Sequence, residues 1–339
     1  MMKICALLLL PILLLASCAQ NVGRASRSTI NRLQRDSIPP DPKEFPNGQI
    51  QLIYQWRLRE GALVRVALQT PLGIPAIGGS LNGNSLPLIL DTGNAFPVLL
   101  DASSALSVEL PAIRGASAKG TGIGGHVDVI LGRYESLHFE DRPVLGRGLA
   151  GVFLHSYQKT FAGITTEAIP LNLLGLPLLE QFSSVTIDAP RQTVTFGYKR
   201  PFKPPLGAAS FPFTLEGGRM WVKVKIGAQT VRAFFDTGCG SGLRIPQLIL
   251  DTIPKNHVST PRLLKRKAMG VGGIEVERVG LLREAQVGNV RISPLEFDTS
   301  AGSADALLGW GPFKRHRITL DFEQKKVWVE PATQAPRNG

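Results

Sequence analysis

Apolar residues in this chain fall in short runs, alternating with polar ones or standing as brief continuous stretches, and the runs are bounded by Gly, Pro, Asn and Asp. Period-two patterning broken by turn residues predicts many short β-strands. Leu86-Pro87-Leu88-Ile89-Leu90 and Val231-Arg232-Ala233-Phe234-Phe235 read as strands running into Asp91 and Asp236. Residues 185–188 with 193–196, and 318–321 with 326–329, read as hairpins. Helical periodicity is sparse. Short helices are expected at 28–35, after Leu100, and at 176–182, 246–253 and 310–315. The fold class expected is all-β.

One series of features occurs twice in the same order. Each series opens with an apolar strand and Asp-Thr-Gly, at Asp91-Thr92-Gly93 and at Asp236-Thr237-Gly238. A glycine-rich turn follows, Gly120-Thr121-Gly122-Ile123-Gly124-Gly125 in one and Gly270-Val271-Gly272-Gly273 in the other, each leading into an alternating strand. Then come Leu173-Leu174-Gly175 and Leu307-Leu308-Gly309, and last the two hairpins. A Pro- and Gly-rich stretch at 201–218 separates the series.

A single Asp-Thr-Gly reads as a turn, since Asp caps turns and Gly takes positive φ. Two of them, each ending a buried apolar strand in a duplication, point further. An isolated carboxylate there would be desolvated at a cost, and a pseudo-twofold axis would bring the two together and lower it. Two carboxyls at close range share one proton and titrate as a unit.

This pattern resembles the aspartic protease family over about 62–330. The apolar strand with Asp-Thr-Gly, the glycine-rich flap and the later Leu-Leu-Gly element carry the resemblance. It implies a bilobal aspartic protease fold of two pseudo-symmetric retropepsin-like β-barrel lobes, at 51–200 and 219–333, joined by a linker at 201–218. It also implies an aspartic endopeptidase whose water is activated between Asp91 and Asp236. Thr92 and Thr237 would bond across the interface. Gly93 and Gly238 would permit the turns. Gly122, Ile123, Gly124 and Gly125, with Gly270, Val271, Gly272 and Gly273, would form flaps over an extended peptide. No cofactor or metal is implied, and one chain carrying both halves implies a monomer. The residue after each motif departs from the family's small or hydroxyl residue: it is Asn94 in one half and Cys239 in the other. That departure motivates an alternative, a catalytically inactive peptide- or protein-binding lipoprotein with the same fold.

The amino end carries Lys3, an apolar run over 6–16 and Leu15-Ala16-Ser17-Cys18. This is too short to span a bilayer and suits a signal peptide over 1–17. It resembles the bacterial lipobox, which implies diacylation of Cys18 and a membrane partner through the lipid anchor. Ala19, rather than Asp, implies the outer membrane, with the chain facing the periplasm of the cell envelope. Residues 18–50, polar and holding Pro39, Pro40, Pro42 and Pro46, are expected to form a flexible tether.

Composition adds bounds. With 339 residues and 43% hydrophobic content, the chain has ample material for packed cores. The net charge of +12 comes from scattered Lys and Arg without interleaved aromatics, so no nucleic-acid partner is expected. Cys5, Cys18 and Cys239 give no disulfide framework within the folded part. The five His residues lack metal-ligand spacing. Gly120-x-Gly122-x-x-Gly125 is not set between a strand and a helix and does not read as a dinucleotide site.

Overall fold

The computed structural model describes residues 19–46, 49–122, 125–161, 164–168, 171–260, 263–270, 273–299 and 305–330. Strands dominate, as the patterning predicts, and the longest described helix is Arg27–Arg35. The chain is all-β in class. Short helices stand at Ala102–Ser107, Leu176–Leu179 and Gln247–Leu250, with a 3-10 turn at Gly311–Phe313, each within or beside a segment expected from the sequence.

Two large sheets share one strand order. The first runs Ala112–Gly122, Gly125–Tyr134, Gly148–Phe153, Val98–Asp101, Leu173–Gly175, Asn84–Asp91, Ala76–Leu81, Leu137–Phe139 and Arg142–Leu145. The second runs Leu264–Gly270, Gly273–Leu282, Leu295–Thr299, Leu243–Arg244, Ala306–Gly309, Gln229–Asp236, Arg219–Ile226, Ala285–Val287 and Val290–Ile292. In each, the Leu-Leu-Gly strand lies parallel to the strand that ends in Asp. Gly175 stands opposite Asp91, and Gly309 opposite Asp236. The Leu-Leu-Gly strands are buried on both faces, which is why they read as continuous apolar runs. Both paths are open among the described residues, so neither sheet closes into the barrel expected from the sequence.

A third, six-stranded sheet ties the two together. Its order is Ala209–Pro212, Lys326–Glu330, Arg317–Asp321, Ser184–Asp188, Thr193–Gly197 and Leu63–Ala67. The two hairpins expected from the sequence meet edge to edge here. Thr186 pairs with Thr319, and their buried hydroxyls lie 2.9 Å apart. Alternate residues Val185, Ile187, Ile318 and Leu320 enter the core. Each such side chain contributes about 1.5–3 kcal/mol through burial. Phe139, Phe182 and Phe196 form one aromatic cluster of that core, and Phe211, Phe235 and Phe313 another.

The segment expected to be a flexible tether is docked over its described part. Ala19–Arg24 pairs antiparallel with His155–Phe161. The helix Arg27–Arg35 is capped by Ser26, whose hydroxyl accepts from the Thr29 N–H at 3.1 Å, and it buries Leu33. Buried Glu44 accepts from Arg133 at 2.5 and 3.0 Å and from Arg147 at 3.2 Å, while Asp41 takes the other end of Arg147 at 2.5 Å. Polar, Pro-rich composition reads as a linker, but these carboxylates find charge-assisted hydrogen bonds to arginines distant in the chain. The 201–218 stretch is likewise partly ordered into strands at Ala209–Pro212 and Thr214–Glu216. No described helix is long and apolar enough to cross a membrane.

Candidate active site

Asp91 and Asp236 end the central strands of the two large sheets, and the turns that follow lock into each other. The Thr92 hydroxyl donates to the Phe235 carbonyl at 2.7 Å and accepts from the Thr237 N–H at 3.1 Å. The Thr237 hydroxyl donates to the Leu90 carbonyl at 2.6 Å and accepts from the Thr92 N–H at 3.1 Å. Both threonines have no exposed surface. Four buried backbone groups, which at the end of a sheet would otherwise go unpaired, are satisfied by two side chains.

The glycines set how closely the turns approach. A Cβ on Gly93 would stand 2.6 Å from Asp236 Oδ2, and one on Gly238 would stand 2.5 Å from Asp91 Cγ. Each carboxyl thus rests against the glycine of the opposite motif. Each also accepts from the N–H of its own glycine, Gly93 to Asp91 at 2.9 Å and Gly238 to Asp236 at 2.8 Å. Gly175 and Gly309 are needed for a related reason: a Cβ on either would run into backbone carbonyls of the turn following the aspartate.

The two carboxyls, each set against the other motif's glycine, are close enough for each to act on the other's ionisation. Desolvation is the largest influence on both and raises both above the usual range. For Asp91 the neighbouring Asp236 charge and the hydrogen bond to it push further in the same direction, and its carboxyl stands well above an ordinary one. For Asp236 the hydrogen bond from Asp91, the N–H groups of Gly238 and Cys239 and the Arg244 charge pull back down. The pair therefore titrates as one unit and keeps a proton to a pH above the ordinary carboxylate range.

The residues after the motifs do local work. The Asn94 side chain donates to the Phe96 carbonyl at 3.0 Å and accepts from the Phe96 N–H at 3.1 Å, closing the turn rather than reaching a carboxyl. Cys239 is buried, with its sulfur 3.1 Å from the Ser241 hydroxyl. Burial, then the Asp236 charge, pushes its thiol up to about 12, so it is no nucleophile at neutral pH.

A cavity of about 590 Å³ opens over the dyad. Ile74, Ile89, Phe96, Leu99, Val129 and Leu173 give it an apolar wall, with Lys119 and Arg219 also lining it. Lys119, Gly120 and Val127, on the hairpin Ala112–Gly122/Gly125–Tyr134, stand over it. Gly122 pairs with Gly125 at the end of that hairpin, and Gly270 with Gly273 at the end of the second. Ile123, Gly124, Val271, Gly272 and Cys18 lie outside the described residues.

Sequence reasoning brought forward both aspartates, both threonines and both motif glycines, and all six meet here. It missed the apolar wall. It also missed a buried ionic cluster next to Asp236. There Arg244 donates to Asp298 at 2.7 Å and to Glu277 at 2.6 Å, and Arg266 donates to Glu277 and Glu296, both at 2.7 Å. The one legible signal was Arg244, a lone charge between Leu243 and Ile245. Among the described residues no group of His, Cys, Asp or Glu is gathered to hold a metal ion. No model of a known protein family matches the chain, and no curated protein matches it.

Proposed function

We propose that this chain is an aspartic endopeptidase of the bacterial cell envelope. In this reading the two large sheets are the cores of two pseudo-symmetric lobes, at 51–200 and 219–333, facing each other across Asp91 and Asp236. The observation that carries it is the crossed cradle: two neighbouring carboxyls, each resting on the other motif's glycine, both lining one cavity. A charge-bearing pair with one shared proton suits water attack on a peptide carbonyl. The ionised carboxyl of the pair takes a proton from the water. The protonated carboxyl donates to the carbonyl oxygen as the tetrahedral centre forms; the proton taken from water then goes to the departing amine, and as the C–N bond breaks a hydroxyl of the tetrahedral centre returns a proton to the dyad, which restores it. The substrate is an extended peptide or protein segment lying under the hairpins, and the enzyme works as a monomer. Residues 1–17 are removed as a signal peptide, and Cys18 carries the lipid that holds the protein to the outer membrane, facing the periplasm. Incubating the purified protein with a peptide library from acid to neutral pH tests the reading. Wild type cleaves, and Asp91→Asn and Asp236→Asn do not while keeping the native circular dichroism. Full activity in either variant overturns it.

A second reading, a peptide- or protein-binding lipoprotein that cleaves nothing, draws on Asn94 and Cys239. Neither side chain supports a carboxyl with a hydroxyl hydrogen bond. Peptide binding by wild type without any cleavage across that pH range favours it.

A further inference from the structure

The two large sheets carry unlike side chains at matching places around the dyad. Gly175 lies opposite Asp91 and Gly309 opposite Asp236, so residues can be matched outward from each aspartate through the strand pairings. Leu99, paired with Leu173 and Gly151, then corresponds to Arg244, paired with Leu307 and Asp298. By the same pairings Val129 corresponds to Glu277 and Ala118 to Arg266. The side chains project alike. A Cβ on Gly151 would come within 2.8 Å of Leu99 and 2.9 Å of Val129, just where the Asp298 carboxylate meets Arg244 in the other sheet.

On the first sheet this face is apolar and walls the cavity beside Asp91. On the second it is filled by Arg244, Glu277 and Asp298, at 5%, 1% and 0% exposure. Among the described residues, the strands of the second sheet give the cavity only Arg219 and Asp236; its other lining on that side comes from the Gly217-Gly218 turn and the loop after Asp236.

We infer that substrate recognition is one-sided. The site takes a bulky apolar side chain, of the kind carried by Phe or Leu, on one side of the susceptible bond, and only small residues at the equivalent place on the other side. The inference rests on the peptidase reading and narrows its substrate class. An apolar side chain gains by leaving water for the first wall. It gains nothing on the other side, where clearing space would leave a buried charge without its partner.

The test uses pairs of short peptides that differ only by Phe against Ala at one position flanking the bond. Cleavage by wild type and binding to the uncleaving Asp236→Asn protein are both measured. The expected result is a preference for Phe of roughly tenfold or more at one flanking position, and a preference for Ala at the other. Val129→Phe, which fills the apolar wall, is expected to collapse the Phe preference at the first position and leave the second unchanged. Cleavage with equal demand for bulky residues on both sides overturns this inference while the peptidase reading stands. One-sided binding with no cleavage by wild type keeps this inference and overturns the peptidase reading. Failure to bind or cleave any of the peptides overturns both.

Discussion

Thr92 and Thr237, 145 positions apart, each accept the other's backbone N–H through a side-chain hydroxyl at 3.1 Å. The same hydroxyls donate to the carbonyls of Phe235 and Leu90. The two chain turns that carry the carboxyls are thereby held in one frame, and the spacing between Asp91 and Asp236 depends on it. Thr92→Ala leaves a buried carbonyl and a buried N–H unpaired and is expected to cost about 1–3 kcal/mol. Thr92→Ser is expected to recover most of that. Because Thr237 works in the same ring, the double variant should depart from additivity by about 0.5–3 kcal/mol, measured by urea unfolding of the four proteins. Strict additivity would mean that the ring is not a unit.

Asp91 contributes to stability with a definite sign. Its folded pKa lies above the unfolded value of 3.8, so its contribution is fully present below that value and is lost as pH rises through the raised folded value. Asp91→Asn removes the penalty for ionising a desolvated group. It is expected to match wild type in melting temperature near pH 3 and to exceed it at pH 9 by about 2 °C or more. Activity should follow the same group, failing on the alkaline side as the shared proton leaves, at a pH above the ordinary carboxylate range. Parallel melting curves at all pH values would show that Asp91 ionises freely.

Gly238→Ala tests the cradle. The added methyl would sit against the Asp91 carboxyl, 2.5 Å from its Cγ, so that carboxyl has to move. Displacing the carboxyl by a fraction of its width is expected to lower kcat/KM by about 100-fold. The accompanying loss of stability is expected to be about 1–3 kcal/mol. An active Gly238→Ala protein would place the reacting geometry elsewhere.

Arg244 is held between two buried carboxylates, and Arg244→Ala takes a partner from both, leaving Glu277 with Arg266 at 2.7 Å and Asp298 with Arg266 at 3.7 Å. A loss of about 3–5 kcal/mol is expected in chemical denaturation. Arg244→Leu combined with Glu277→Val and Asp298→Gly copies the first sheet's residues at those three buried places, and removing these three charges together, with Arg266 keeping Glu296 at 2.7 Å, should recover most of that loss. If the single and triple variants are equally unstable, the ion pairs are not what makes Arg244 necessary.

The sequence made the dyad legible because its signals are local and doubled. An apolar strand, an Asp-Thr-Gly and a Leu-Leu-Gly can each be read from adjacent residues, and both copies survive in the pairing of Gly175 with Asp91 and Gly309 with Asp236. What escaped depends on partners distant in the chain. Glu277 sits in the alternating run Ile274-Glu275-Val276-Glu277, where period two gives no hint that it is buried at 1% exposure while Val276 is the exposed residue at 59%. The phase of that strand is inverted because Arg244, 33 positions earlier, supplies the charge that Glu277 needs. Glu44 shows the same effect: inside a Pro-rich stretch it reads as solvated, yet Arg133, 89 positions on, draws it under cover. Barrel closure was an expectation from resemblance, and nothing in the local pattern bears on whether outermost strands meet.

The six-stranded sheet has a mechanical consequence. Its middle seam, Ser184–Asp188 against Arg317–Asp321, stitches chain from before the 201–218 stretch to chain from after it. Such a seam works against clamshell motion, because swinging one large sheet away from the other would tear out a ladder and the buried Thr186–Thr319 contact. By the same logic, a protein nicked within 201–208 should remain a single particle in solution, its two fragments laced together along that sheet.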